Sequence, residues 1–171
     1  MHTLADVGLL DGWQWCPRCR GQLELSQGRA SCSSCGSVYY ANSAPAVEGV
    51  LVRAGKVLLA KRAIEPRRGY WDLPGGFLEE GEEPLDGLAR EFREETGLAV
   101  RPLEWLGTHL ERYDNYFVLG LTWLVEADGD PRPADDAEEL AWFGPDELPD
   151  ELAFPHQGRL LRAWAAREQQ A

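Results

Sequence analysis

Every cysteine of the chain lies within its first 35 residues, in two pairs: Cys16-Pro17-Arg18-Cys19, twelve residues, then Cys32-Ser33-Ser34-Cys35. This pattern restricts the fold of the N-terminal part more than any other feature. A pair with two intervening residues closes a tight knuckle turn. Two knuckles present four thiolates at the corners of a tetrahedron, the arrangement zinc takes in a closed structural site. Gly21 and Gly36 follow the two pairs, where such a turn is expected to need a residue tolerant of positive φ. Two disulfides or a redox dithiol are the competing uses. An intracellular chain rarely keeps disulfides, and a redox motif has no need of a second copy. So short a segment buries too little apolar surface to stand alone, which makes Zn2+ a folding requirement for it and leaves no open position for chemistry. A polar, turn-rich stretch from Ser37 to Pro45 follows, and we place the boundary near residue 42: residues 1–41 form a zinc ribbon and residues 42–171 a second, larger domain.

The rest of the 171 residues suffices for one well-buried core. With 29 acidic against 17 basic residues, a net charge of -12, the summed field repels nucleic acid and anionic membrane, so neither is an expected partner. The ribbon offers only Arg18, Arg20 and Arg29, opposite Glu24, to a nucleic acid. Met1 to Leu10 contains Asp6 and lacks a basic start and a long apolar core, so no secretory signal is visible. The most apolar stretch, Phe117 to Val125, is interrupted by Gly120 and Thr122 and is far shorter than the roughly 18 residues of a membrane span. A cytoplasmic location is the default expectation.

Short β-branched runs predict strands at Val47 to Arg53 and Lys56 to Lys61, around the Ala54-Gly55 turn. Longer strands are expected at Arg101 to Glu111 and Tyr116 to Glu126, linked by Asp114-Asn115. An acidic loop from Asp128 to Asp136 leads to a strand at Leu140 to Phe143, then to one helical turn at Pro145 to Leu148. From Gln157 to Gln169, Leu160, Leu161, Trp164 and Ala165 recur at helical spacing and predict a helix packed on a sheet. The whole reads as α/β, one mixed sheet covered by helices.

The stretch from Gly69 to Leu98 carries the chemistry. Pro84 suits the first turn of a helix and Gly97 the position just past its end. Between them Leu85, Leu88, Ala89 and Phe92 form a buried stripe, with Glu91, Glu94 and Glu95 on the neighbouring face. Like charges on adjacent turns repel, and a cation resolves the conflict. Magnesium takes one or two carboxylates, with waters and substrate phosphates completing its shell. A solvated face neutralised by Arg90 and Arg93 is the plainer alternative. Leu73-Pro74-Gly75-Gly76 ahead of the helix places two glycines where a backbone bends tightly or approaches a ligand, and Glu82 adds a fourth carboxylate.

From Gly76, five residues lead to Glu82 and seven more to Arg90-Glu91-Phe92-Arg93-Glu94-Glu95-Thr96-Gly97-Leu98. This resembles the Nudix box over its full length. Phe92 departs mildly, standing where the family usually has a smaller aliphatic residue. The approach Trp71 to Gly76, the strand Ala141-Trp142-Phe143 and Glu147-Leu148 also look like family features, so the resemblance spans roughly residues 42 to 150. It implies a Nudix α/β/α sandwich carrying a divalent metal, Mg2+ or Mn2+, at one edge of the sheet. Glu94 and Glu95 would be ligands, Glu91 a further ligand or water partner, the Gly76 carbonyl another contact, and Arg90 would orient the glutamates. It also implies water attack on phosphorus with Lewis-acid and pKa-lowering metal catalysis. The general base often lies outside the box, and Glu138 or Glu139 is the candidate, Glu139 first. Arg62, Arg67 and Arg68 cluster before the glycine loop, where guanidinium forks suit a diphosphate and surface solubility is the rival use. The three histidines, His2, His109 and His156, show no metal-ligand spacing and read as incidental.

A ribbon followed by a Nudix domain resembles NAD pyrophosphatases and a group of FAD and ADP-ribose diphosphatases. No Ser-Gln-Pro-Trp-type segment follows the box, and the Tyr39-Tyr40-Ala41-Asn42 junction resembles the short ribbon-bearing group. The expected substrate is therefore a nucleoside diphosphate derivative such as FAD, ADP-ribose or a related dinucleotide. Cleansing of nucleoside triphosphates and a non-hydrolytic nucleotide-binding module are the alternatives. Tyr113, Tyr116 and Trp123 are read as core or cross-strand partners before base-stacking residues. The oligomeric state stays open, a homodimer included.

Overall fold

The computed structural model describes residues 8–113 and 115–169. His2, Asp6 and the Asp114 half of the expected turn lie outside the described residues. The chain divides into two compact units: the described residues of Met1–Ala44 with Arg112–Val118, and those of Pro45–Glu111 with Leu119–Ala171.

In the first unit, β1 (Leu23–Ser26), β2 (Arg29–Cys32) and β3 (Val38–Tyr40) make an antiparallel three-stranded sheet. Thus part of the expected turn-rich connection is a strand: Val38 to Tyr40 pair with Arg29 to Ser31, and Ala41 N–H donates to the Gly28 carbonyl at 2.9 Å. The unit's small core consists of Leu10, Cys16, Leu23, Ala30 and Cys32, with Tyr39 against it. Two of the five core residues are thiols, as expected where apolar surface is scarce.

A mixed sheet, which belongs to the second unit apart from Ala44 and the Arg112–Val118 ends of its two longest strands, has the order β10 (Ala137–Phe143), β5 (Lys56–Arg62), β4 (Ala44–Arg53), β9 (Tyr116–Ala127), β8 (Val100–Tyr113). Two short strands that periodicity does not reveal join it, β6 (Trp71–Asp72) on β5 and β7 (Gly75–Phe77) on β4. Strand alternation sorts the side chains into two layers. Val47, Leu51, Leu58 and Val125 meet Leu88 and Phe92 of α1 (Pro84–Thr96). On the opposite face Val50, Val57 and Leu59 meet Leu161 of α2 (Pro155–Glu168), with Leu160 and Trp164 beside it. The sheet therefore lies between two helices, the α/β/α arrangement. Trp123 meets Trp105 edge-on at 4.6 Å between centroids, and Tyr113 meets Tyr116 at 5.5 Å, so these aromatics do act as cross-strand partners.

The expected helix bounds hold: α1 starts at Pro84, and Gly97 at φ 70 donates its N–H to the Arg93 carbonyl. The expected helical turn at Pro145 to Leu148 is instead a loop turn, closed by Glu147 N–H on the Gly144 carbonyl and by Gly144 N–H on Glu147 Oε2. Glu138 and Glu139 lie inside β10, which begins at Ala137 across a bulge, and not ahead of the strand.

Candidate active site and metal centres

The four cysteines converge. Their sulfurs all lie within 4.8 Å of one another, with Cys16 Sγ 3.7 Å from Cys35 Sγ and Cys19 Sγ 3.5 Å from Cys32 Sγ. A tetrahedron with Zn–S bonds of about 2.3 Å has edges of about 3.8 Å, so the thiol set fits zinc. None of the four is in a disulfide. At the second knuckle Gly36 takes the positive φ expected of it, 73°. At the first, the left-handed residue is Arg20, φ 62°, not Gly21. Gly21 is needed for space, because a Cβ there would lie 2.5 Å from Ser34 Oγ.

The glycine loop and α1 build the second site. Gly75 lies so close to β4 that a Cβ would stand 2.1 Å from the Val47 carbonyl, and its N–H donates to Glu95 Oε2 at 2.9 Å. Gly76 lies under the Glu91 carboxylate, where a Cβ would stand 2.5 Å from its carbon. Arg90 is the hub. Its guanidinium grips Glu82 through two bonds of 2.8 Å, reaches Glu91 Oε1 at 2.7 Å and Glu94 Oε2 at 3.0 Å, and donates to the Phe77 carbonyl. This fork ties loop to helix and holds three carboxylates that otherwise repel.

The charges are unevenly compensated. Arg90 holds Glu82 down to about 2, and Glu82 in turn raises Arg90. Burial raises Glu91 despite Arg90 beside it. Glu95 stands out: burial, opposed by the Gly75 N–H and reinforced by Asp72, Glu91 and Asp136, pushes it up to about 8. A half-buried carboxylate among carboxylates lacks a cation. The three helix glutamates do not close into a group within 4.8 Å of one another, as the cysteines do. Magnesium does not require that, since water and phosphate oxygens complete its shell, so the donor set fits it.

The remaining expected residues are spread out. Glu139 is exposed on β10, 3.5 Å from Lys61. Arg62 is committed inside the protein, 2.6 Å from Asp72 Oδ2 and 2.9 Å from the Pro66 carbonyl. Arg67 and Arg68 are exposed, Arg67 with its guanidinium over Tyr70. Two acidic residues that act on Glu95 escaped sequence reasoning. Asp72 sits on an unforeseen strand, and Asp136 ends the acidic loop, which docks on the helix end through Arg132 and Ala134 N–H bonds to the Thr96 and Glu95 carbonyls. Nor did spacing reveal that His109 and His156 stand side by side with Glu48 between β4, β8 and α2, which corrects their reading as incidental.

Among the described residues no helix is long and apolar enough to cross a membrane. Comparison with known proteins matches the NUDIX domain model over residues 43–164. An ADP-ribose pyrophosphatase of Methanocaldococcus jannaschii is 36% identical over 121 residues, 69% of this chain and 71% of that protein. The NAD-capped RNA hydrolase NudC of Chromobacterium violaceum is 34% identical over 140 residues, 80% of this chain but 52% of that protein, so the chain spans about half the length of this relative. Among solved structures, a Nudix hydrolase from Nitrosomonas europaea superposes with TM-score 0.78 at 30% identity, covering 91% of this chain and 93% of that one. Glycine loop, capped glutamate helix, sandwich and a domain match over most of its length agree: the chain belongs to the Nudix hydrolase family.

Proposed function

We propose that the protein hydrolyses the diphosphate linkage of a nucleoside diphosphate derivative, ADP-ribose or a related dinucleotide such as FAD, with magnesium or manganese. The observation that carries this reading is Glu95, a half-buried carboxyl fixed by the Gly75 N–H at 2.9 Å on the helix that also bears Glu91 and Glu94, and pushed up to about 8, where a divalent ion supplies the missing charge. Glu91, Glu94, Glu95 and the Gly76 carbonyl would hold that ion. When bound it would supply Lewis-acid polarisation of the phosphate oxygens and a lowered pKa for the attacking water.

The chain's own residues do the positioning. Arg90 keeps Glu91 and Glu94 from swinging into solvent, and the Gly75 N–H fixes the orientation of Glu95. Arg67 and Arg68, exposed and a few residues ahead of the glycine loop in sequence, would hold the diphosphate, and Arg62 would support them from its pairing with Asp72. Glu139 is the candidate base. A Glu139→Gln variant with kcat within a few-fold of wild type removes it from that role, since base catalysis is worth about 10²- to 10⁴-fold. The 36% identity to a protein named ADP-ribose pyrophosphatase supports the choice of substrate class.

The test is product release in magnesium from ADP-ribose, FAD, NADH, diadenosine polyphosphates and nucleoside triphosphates, wild type beside Glu94→Gln. Glu94 is exposed, so its replacement leaves the core untouched. One dinucleotide cleaved well, and lost in the variant, is the expected outcome. A preference for triphosphates would redirect the substrate, and silence with both metals would replace hydrolysis by binding.

A further inference from the structure

On the α2 face of the sheet, three metal-ligating side chains from three elements meet. Glu48 comes from β4, His109 from β8 and His156 from the first turn of α2, and their ligand atoms all lie within 4.8 Å of one another. Glu48 Oε1 stands 3.0 Å from His156 Nε2 and 3.8 Å from His109 Nδ1. Glu48 and His156 are buried, 8% and 7% exposed, and the two imidazoles stack at 3.3 Å between centroids. None of these residues belongs to the glycine loop or the glutamate helix.

Around the three, the structure fixes orientation. Glu111 Oε1 lies 3.2 Å from His156 Nδ1, so the proton of a neutral imidazole belongs there and the Nε2 lone pair faces the Glu48 carboxylate. Lone pair against lone pair is repulsive unless a proton or a metal ion stands between. Thr122 Oγ1 donates to Glu48 Oε1 at 2.7 Å and Gln157 Nε2 donates to Glu48 Oε2 at 3.3 Å, so both carboxylate oxygens are held. The His109 ring lies against Gly120, where a Cβ would stand 2.0 Å from it, and among the described residues its Nδ1 has Thr122 Oγ1 at 3.4 Å as hydrogen-bond neighbour, a hydroxyl whose proton already goes to Glu48. Burial, opposed by Glu48, lowers His109. On His156 burial opposes charge, but Glu48 and Glu111 outweigh it and raise the group.

We propose that Glu48, His109 and His156 form a second metal site, for a first-row divalent ion with zinc foremost, held by two imidazoles and one carboxylate. Three protein ligands leave a coordination position open, the ligand count of an exchangeable and not a closed structural site. A carboxylate behind the imidazole, here Glu111 behind His156, is the arrangement that orients metal-bound histidine. His109 and His156 also line a recess of about 310 Å³, together with Thr108, Thr122, Leu160 and Arg159, whose charge suits an anionic oxygen ligand. The plainer use of the same groups is a shared proton, an imidazolium bridging Glu48 and Glu111.

The deciding measurement uses the full chain with its ribbon loaded with zinc and magnesium in excess to occupy the glutamate helix. Zinc and, in parallel, cobalt are titrated in and bound metal is counted after dialysis. The expected result is one further equivalent per chain. Its cobalt form shows d–d absorption without thiolate charge transfer, and zinc shifts the ring resonances of His109 and His156. His109→Asn removes that equivalent, and Glu111→Gln weakens it about 10- to 100-fold, while the ribbon metal stays. No further equivalent in wild type, or one that leaves both histidine resonances in place, overturns the proposal whether or not the variants fold, and leaves the cluster as a proton-sharing network.

Discussion

Phe92 is the one departure from the pattern that the family resemblance implies, and the structure shows what admits it. The position opposite is Gly49, and a Cβ built there would lie 2.5 Å from Phe92 Cε2, 2.8 Å from Cζ and 3.3 Å from Val125 Cγ1. Carbons in contact rest about 3.5–4.0 Å apart, so Gly49→Ala forces the ring back by about 1 Å. Phe92 is fully buried in a cluster with Val47, Leu51 and Leu88, so the ring cannot yield without displacing core neighbours or leaving its packing. Overpacking of this kind should cost about 1–3 kcal/mol. Phe92→Leu removes the outer ring atoms, the ones the new methyl would strike. Losing three carbons at about 0.8 kcal/mol each costs about 2–3 kcal/mol. Were the two independent, the double variant would lose about 3–6 kcal/mol. Because the methyl fills part of the space the ring vacates, Gly49→Ala/Phe92→Leu should instead be no less stable than Phe92→Leu alone, a coupling of about 1–3 kcal/mol. Urea unfolding of the four proteins, with zinc present and the slope m checked for constancy, measures it. Losses that add to within about 0.5 kcal/mol would refute the steric argument.

Other predictions rest on the glycine loop, the arginine hub and the ribbon. In Gly76→Ala the new Cβ meets the Glu91 carboxylate, the mobile end of a side chain, so stability should change by less than about 1 kcal/mol while hydrolysis falls at least tenfold; unaltered turnover would show that Glu91 need not lie there. Glu82 is depressed from 4.5 to about 2 in the folded protein, so its contribution is complete above pH 4.5 and lost as pH falls through about 2. Glu82→Gln should therefore flatten the acid limb of the stability profile in that window, and an unchanged limb would remove Glu82 from the account. Protein purified without added metal should hold one equivalent of zinc that Cys32→Ser releases, with loss of β-structure in the ribbon seen by circular dichroism. Zinc retained in that variant would place it elsewhere.

What the sequence determined by itself is what short-range chemistry encodes. Pro84 and Gly97 bound a helix wherever it packs, because one lacks an N–H that the first turn does not need and the other accepts φ 70. The spacing within each cysteine pair dictates a knuckle whatever follows, and the apolar stripe beside three glutamates assigns the faces of α1 before any partner is known, although of its expected members Leu88 and Phe92 are buried while Leu85 is exposed. The tertiary structure decided everything that depends on which strands become neighbours. It put the left-handed turn of the first knuckle on Arg20 because Gly21 is used for a close approach to Ser34. It turned Arg62 inward to Asp72, brought Asp136 to Glu95, and set Gly49 under Phe92. Above all it assembled Glu48, His109 and His156. They are separated by tens of residues, so their spacing carries no signal, and only the pairing of β4, β9 and β8 under the first turn of α2 makes them a group. Local geometry propagates over one turn of chain, whereas a site of this kind is a property of sheet order, which long-range burial selects.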